Sequence, residues 1–241
     1  MVLNDMMGES LSYERGGMAE TLDDGGIKTG YDLWASSYDD EDPSTWLDEP
    51  FLMEQLKPFP GCRILDLGCG TGRYLRQLNS HRYRIAAIDL SRCMMARAQQ
   101  DVCHREDIWW VQSSVTDLPF QPNSFDRVMS GLVLDHVASP SQFFDQVASA
   151  LRRDGRAVVS GVHPDMQRLT GADIEVDTRL GAARIHGHIH EVKSLVEAAE
   201  GAGLRVEGIR EPPISPAMVQ RKPSWEWKLG CPALVLMALT R

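Results

Sequence analysis

What is missing from this chain narrows its chemistry first. Basic residues are scarce: Lys and Arg number 25 against 34 Asp and Glu, a formal net charge of −9, with no basic block to offset it. A duplex-binding protein gains affinity by neutralising phosphates and carries the opposite sign, so nucleic acid is not expected as a partner. Long apolar runs are missing too; none approaches the ~18 residues that a membrane-spanning helix needs, and no membrane partner is expected. The five cysteines, at 62, 69, 93, 103 and 231, form no C-x-x-C pair, and an odd number scattered along the chain makes no disulfide scaffold. The N-terminal segment lacks the apolar stretch of an export signal and carries Asp5, Glu9, Glu14, Glu20, Asp23 and Asp24 instead. A reducing, cytoplasmic setting is the expectation.

What is present suits one domain. The chain has 241 residues, of which 43% are hydrophobic, ample for a sizeable core. Residues 1–28 are rich in Met, Gly and acid without periodicity and are expected to be a disordered tail; residues 29–241 are expected to form a single domain. Between Tyr31 and Leu56, apolar residues fall at helical spacing and are interrupted by acidic residues 39–42 and Pro43, which predicts two short helices with a hinge. Beyond Gly61, apolar runs alternate with helical patterns. Strands are expected at 63–67, 83–89, 108–111, 126–133, 156–162, 204–209 and 233–239, with helices at 73–78, 91–100, 140–151 and 190–202. Seven strands alternating with such helices predict an α/β fold, a doubly wound, mostly parallel sheet with helices on both faces.

The chemistry concentrates where the first strand ends. Ile64-Leu65 runs into Asp66-Leu67-Gly68-Cys69-Gly70-Thr71-Gly72 and then into a helix; glycines there permit a tight turn and close approach of backbone N–H groups to a ligand. The next strand ends in Asp89, 23 residues on, where a carboxylate can accept from both ribose hydroxyls of an adenosine. The spacing is G-x-G-x-G, not the G-x-G-x-x-G of nicotinamide cofactors. Asp66 would repel a pyrophosphate and suits a ligand with a positive amino group.

These residues resemble motif I of class I S-adenosylmethionine-dependent methyltransferases. Ile88-Asp89-Leu90-Ser91 with Met94 resembles the element that follows it. Further resemblances come in order: Asp117-Leu118-Pro119-Phe120 with Ser124-Phe125-Asp126, then Leu132 to Val137, then Leu151 to Arg156. The later part, with His163-Pro164, is similar to the ubiquinone-biosynthesis-like small-molecule branch.

The resemblance implies a Rossmann-like fold, S-adenosyl-L-methionine as cofactor and S-adenosyl-L-homocysteine as product. By it, Gly68, Cys69, Gly70 and Gly72 line the methionine part, Asp66 orders the loop or meets the amino group through water, Asp89 takes the ribose hydroxyls, and Leu90 and Met94 flank the adenine. Ser114, with Val115 beside it, stands where an acid often accepts from the adenine amino group, and Ser130, within the run expected as the fourth strand, is a further candidate cofactor contact. Residues 29–58 resemble a helical cap over the active site, with Tyr31 and Tyr38 towards the methionine carboxylate.

On the acceptor side a small molecule is expected, an aromatic or heterocyclic natural-product-like metabolite, because the fourth strand is followed by no [ND]-P-P-[YF] motif. Trp34, Trp46, Asp135 and Trp225 are candidate acceptor contacts. The candidate general bases are His163 and His136, each just past a strand, and His188. His186, His188 and His190 alternate, so an extended segment would put them on one face. That pattern is compatible with an acceptor contact, a surface or capping role, or a metal, although methyl transfer needs none. The other function class left open is a protein of this fold that binds the cofactor without transferring methyl. Either a monomer or a homodimer fits.

Overall fold

The computed structural model describes residues 26–41, 45–78, 82–178 and 181–241. Three helices precede the sheet, α1 (Ile27–Trp34), α2 (Tyr38–Glu41) and α3 (Thr45–Leu56). The alternation then runs β1 (Arg63–Leu67), α4 (Arg73–Gln77), β2 (Arg84–Asp89), α5 (Arg92–Asp101), β3 (Ile108–Gln112), β4 (Phe125–Ser130), α6 (Pro140–Ala150) and β5 (Leu151–Val162). A short helix, α7 (Pro164–Thr170), and a hairpin of β6 (Ile174–Thr178) and β7 (Gly181–Ile185) come before α8 (Val192–Gly201), β8 (Arg205–Arg210), α9 (Pro216–Arg221) and β9 (Leu234–Thr240).

The sheet order is β3-β2-β1-β4-β5-β9-β8, with β1 to β5 parallel and β9 antiparallel to both its neighbours. Its central strands are unbroken apolar runs because helices cover both faces; Ile64, Leu65 and Leu67 of β1 and Ile85 to Ile88 of β2 have no exposure at all. Local chemistry fixes the helix starts. The Ser91 hydroxyl accepts from the Met94 amide to cap α5, Ser139 and Ser215 do the same for α6 and α9, and proline occupies the first turn of both those helices.

Three expectations change. α1 begins at Ile27, so Ile27 and Lys28 belong to a helix and not to a tail; Ile27 is buried with Trp34, Val176 and Ile185, and that burial orders the turn. Residues 1–25 lie outside the described residues. Two helices before the sheet become three, and β5 starts five residues early, its ladder with β4 shifting between Phe125 and Arg127. The β6–β7 hairpin had no strong signal, since Gly181, Ala182 and Ala183 give β7 almost no apolar alternation. It roofs α1 closely: a Cβ on Gly30 would lie 2.4 Å from Ile185 Cγ1.

The N-terminal helices are tied to the sheet by polar groups. Asp48 of α3 has no exposed surface and accepts from Arg73 Nη1 and Nη2 (2.5 and 2.8 Å), from the Tyr74 hydroxyl (2.8 Å) and from the Ser160 hydroxyl (2.7 Å). Asp32 of α1 accepts from Ser91 Oγ and the Cys93 amide at the start of α5, and Asp39 accepts from Thr71 Oγ1. Against the opposing cost of its burial, the bonds from Ser91, Lys28 and Cys93 hold the Asp32 carboxyl below the usual range. Asp48→Ala leaves the Arg73 guanidinium buried without its counter-ion and is expected to cost ~3–5 kcal/mol. Urea unfolding measures it; a loss under ~1 kcal/mol, as for a surface pair, would contradict the anchoring role.

Candidate active site

The crevice opens where the strand order reverses, beyond the carboxyl ends of β1 and β4. The chain leaves β1 through three glycines with positive φ, Gly68 (71°), Gly70 (51°) and Gly72 (79°). At Gly68 a Cβ would meet Val133 Cγ2 at 2.3 Å, and at Gly72 it would meet Ala98 Cβ at 2.9 Å. Gly68 therefore lets the loop reach the β4 side of the crevice, whereas Gly72 lets α4 pack on α5.

A cavity of about 260 Å³ lies against this loop. Of the residues expected at a cofactor, Tyr31, Tyr38, Gly68, Gly70, Asp89, Leu90, Met94, Ser114 and Val115 line it. Asp66, Cys69, Gly72 and Ser130 do not. Cys69 is buried and its amide donates to the Ile88 carbonyl, Gly72 packs, and the Ser130 hydroxyl donates to the Leu67 carbonyl at 2.8 Å. These three hold the loop from behind. Ser114 lines the cavity, but its hydroxyl is already paired with Thr116 Oγ1 at 2.8 Å. Sequence reasoning missed Ser113, Gly131, Leu132 and Gln142 on the same wall.

Two carboxylates set the electrostatics. Asp89 accepts from the Gly70 amide on Oδ2 and from the Ser91 amide on Oδ1, both at 2.8 Å, and each oxygen keeps a second acceptor site for a hydroxyl. Burial, only partly offset by those amides, lifts its pKa to about 6. Asp66 is fully buried behind the loop, and neither oxygen has a hydrogen-bond partner. Burial pushes its pKa up to about 8 against the pull of Arg73 and with a further push from Asp89. An uncompensated carboxylate behind a glycine loop, a diol acceptor beside it and apolar Leu90 and Met94 fit an adenosine cofactor bearing an ammonium group.

A second cavity of about 470 Å³ adjoins the first, and Tyr31, Tyr38, Leu132 and His136 line both. Trp34, Asp135 and Trp225, three of the candidate acceptor contacts, line the second; the side chain of Trp46 lies outside the described residues. Leu132 has φ 58°, strain on the order of 1–3 kcal/mol for a non-glycine residue, and its amide is held by the Ser160 carbonyl (3.1 Å) and hydroxyl (3.0 Å).

The histidines separate by their partners. His163 lines neither cavity: Nδ1 accepts from the Asp165 amide, capping α7, and Nε2 lies 2.8 Å from Glu211, so this candidate base has both ring nitrogens committed elsewhere. His188 also lines neither; its backbone bonds Asp135 and Gln167, and its ring sits between those of His186 and His190. The alternating three do share a face. Among the described residues, however, no three His, Cys, Asp or Glu side chains are grouped to hold a metal. His186 instead pairs with Asp173 at 2.8 Å, and His190 Nε2 donates to the Val137 carbonyl.

His136 alone of the three candidates lines the cavities. Its Nδ1 faces the His186 carbonyl at 3.3 Å, which can only accept, so Nδ1 carries the proton. Nε2 is then the acceptor, and it takes the Tyr31 hydroxyl at 2.7 Å with Asp135 Oδ2 3.5 Å away.

In the ligand-free protein, the Asp66 proton is retained up to about pH 8, whereas the unfolded chain releases it near 3.8. The associated stability is therefore complete below pH ~4 and is lost as pH rises to ~8. A ligand ammonium near Asp66 lowers its pKa, so S-adenosylhomocysteine binding at pH 7 is expected to release about one proton. Calorimetry in buffers of different ionisation enthalpy measures the release, and 5′-methylthioadenosine, which lacks the amino-acid ammonium group, should release none. Release that persists in Asp66→Asn would assign the proton elsewhere.

Residues 65–159 match the family model described as a methyltransferase domain. Over 144 residues the chain is 31% identical to the biotin biosynthesis bifunctional protein BioHC of Cellvibrio japonicus, covering 59% of this chain and 28% of that one. It spans well under half the length of several curated relatives that it matches. An uncharacterised methyltransferase of Emericella nidulans is 28% identical over 233 residues, 78% of this chain and 81% of its own. The solved S-adenosylmethionine-dependent methyltransferase of Mesorhizobium loti superposes with a TM-score of 0.66 at 24% identity, covering 84% of this chain and 99% of that one. No described helix is long and apolar enough to cross a membrane. Residues 65–159 thus match a methyltransferase domain, and the fold around them is that of the class I S-adenosylmethionine-dependent methyltransferases.

Proposed function

We propose that this protein methylates a small-molecule acceptor, with S-adenosyl-L-methionine in the first cavity and the acceptor in the second. The observation that carries the reading is the shared wall: Tyr31, Tyr38, Leu132 and His136 line both cavities, so a group in one meets a group in the other there. When bound, the cofactor supplies an electrophilic methyl group on its sulfonium. The chain's own part is alignment, exclusion of water and, for a hydroxyl or amine acceptor, removal of a proton.

His136 is the proposed base. Its Nε2 lone pair, held towards Tyr31, accepts the acceptor's proton either directly or through the phenol. The aromatic surface of Trp34, Tyr38 and Trp225 suits an aromatic or heterocyclic acceptor, in keeping with a natural-product-like substrate. Tyr31 stacks on Trp34 and Tyr38 meets Trp34 edge-on, so the cap presents one aromatic cluster from which Tyr31 and Tyr38 border both cavities.

Incubation with methyl-deuterated cofactor and a small-metabolite extract tests the reading. A metabolite gaining a trideuteromethyl group while S-adenosylhomocysteine accumulates supports transfer; tight cofactor binding without either outcome would mean binding alone. With an acceptor in hand, His136→Ala is expected to lower kcat by roughly 10²-fold or more, with S-adenosylhomocysteine affinity within about threefold. Full turnover in that variant would leave alignment as the whole of the catalysis.

A further inference from the structure

One side of the second cavity carries charge that methyl transfer itself does not use. Residues 223–228 form a 3-10 turn, entered from Lys222, and in such a turn residues three apart lie one above another. Lys222, Trp225 and Lys228 therefore share a face, and all three line the second cavity. The two ammonium groups sit 5.1 and 5.2 Å from the centroid of the Trp225 indole, within cation–π reach.

This arrangement gathers like charges on one ring. Both lysines are half-buried, and among the described residues neither ammonium has an ion-pair partner. Burial, followed by the charge of Lys222, holds the Lys228 amine below its ordinary range. Carboxylates do line the cavity, but they are engaged or lie elsewhere. Asp173 pairs with Arg184 and His186 and accepts from the Gly187 amide, Asp135 lies beside His136, and Glu175 is exposed on the hairpin. Two half-buried cations held close on one face of the cavity are stabilised by an anion between them, which relieves their repulsion and satisfies their N–H donors.

The rest of the cavity sets what that anion is attached to. Trp34, Leu47, Met166 and Ile214 give apolar walls, and His136 stands at the junction with the cofactor cavity, which neither lysine lines. Resting on the methyl-transfer reading, we propose that Lys222 and Lys228, braced on Trp225, bind the anionic group of the acceptor. That group is a carboxylate or a phosphate monoester on an apolar body that fills the cavity towards His136. The acceptor class is thus an amphipathic acid.

Three probes differing only at one end test this in protein saturated with S-adenosylhomocysteine: 3-phenylpropionate, 3-phenylpropyl phosphate and the neutral 3-phenyl-1-propanol, each titrated calorimetrically. At least one anion is expected to bind about tenfold tighter than the alcohol or better, and the stronger of the two names the acidic group. In the Lys222→Gln, Lys228→Gln double variant the preference should shrink to about twofold or less, and the double Arg variant should keep it. Equal binding of acid and alcohol, a preference that survives the Gln changes, or no binding of any probe at millimolar concentration would overturn the inference. The S-adenosylhomocysteine titration separates the two layers. If it binds normally while the anion preference is absent, only the acceptor class fails; if it does not bind the parent protein, the methyl-transfer reading fails.

Discussion

A single buried carboxylate organises this molecule. Asp48 cannot be left alone in an apolar interior, and its four hydrogen bonds come from three residues on two elements: Arg73 and Tyr74 in the helix after the glycine loop, and Ser160 in the fifth strand. The charge is satisfied only when the N-terminal helices, the loop helix and the sheet have met. Arg73 also lies over the Tyr74 ring at 4.2 Å, so the pair is packed as well as bonded. The effect reaches the junction of the two cavities. Ser160 donates to Asp48 and accepts from the Leu132 amide, fixing the strained residue that both cavities share. Tyr74, held by the same carboxylate, fills the space that Gly131 leaves; a Cβ there would lie 1.8 Å from the phenol oxygen.

Asp48, Asp89 and Asp66 divide the labour by how far each is satisfied. Asp48 has a full complement of donors and belongs to stability. Asp89 has one amide on each oxygen and room for one more donor on each. Asp66 has none. A polar atom left unpaired in an interior is costly, and the cost is recovered when something outside the polypeptide supplies the missing charge. The gradient from Asp48 to Asp66 is a gradient from folding to binding.

Much of this was legible in the chain because it is local. Apolar runs marked β1, β2, β3, β8 and β9 to within a residue, whereas β4 ends three residues before its run does and β5 begins five before its run; the glycine loop with Asp89 announced itself by spacing. What escaped depends on partners distant in sequence. The strand-end rule named His136 and His163 equally, yet Glu211, 48 residues further on, occupies one nitrogen of His163, and Tyr31, 105 residues earlier, turns His136 to the cavities. Asp48 sat among other acids in a segment that reads as surface. Lys222 and Lys228 stand at threefold spacing around Trp225, and the proline at 223 was the one hint of a tight turn that makes such spacing meaningful.

Gly30 shows where this architecture is adjustable. It is the point at which the hairpin rests on the first helix, with no room for even a methyl group beside Ile185. The hairpin's Ile174 and Glu175 and the helix's Trp34 are parts of the wall of the second cavity. Any side chain at residue 30 wedges these two parts of the wall apart without touching a ligand. The fold therefore has a fulcrum outside its cavity, and the range of molecules accepted can drift through substitutions that leave every contact residue as it is.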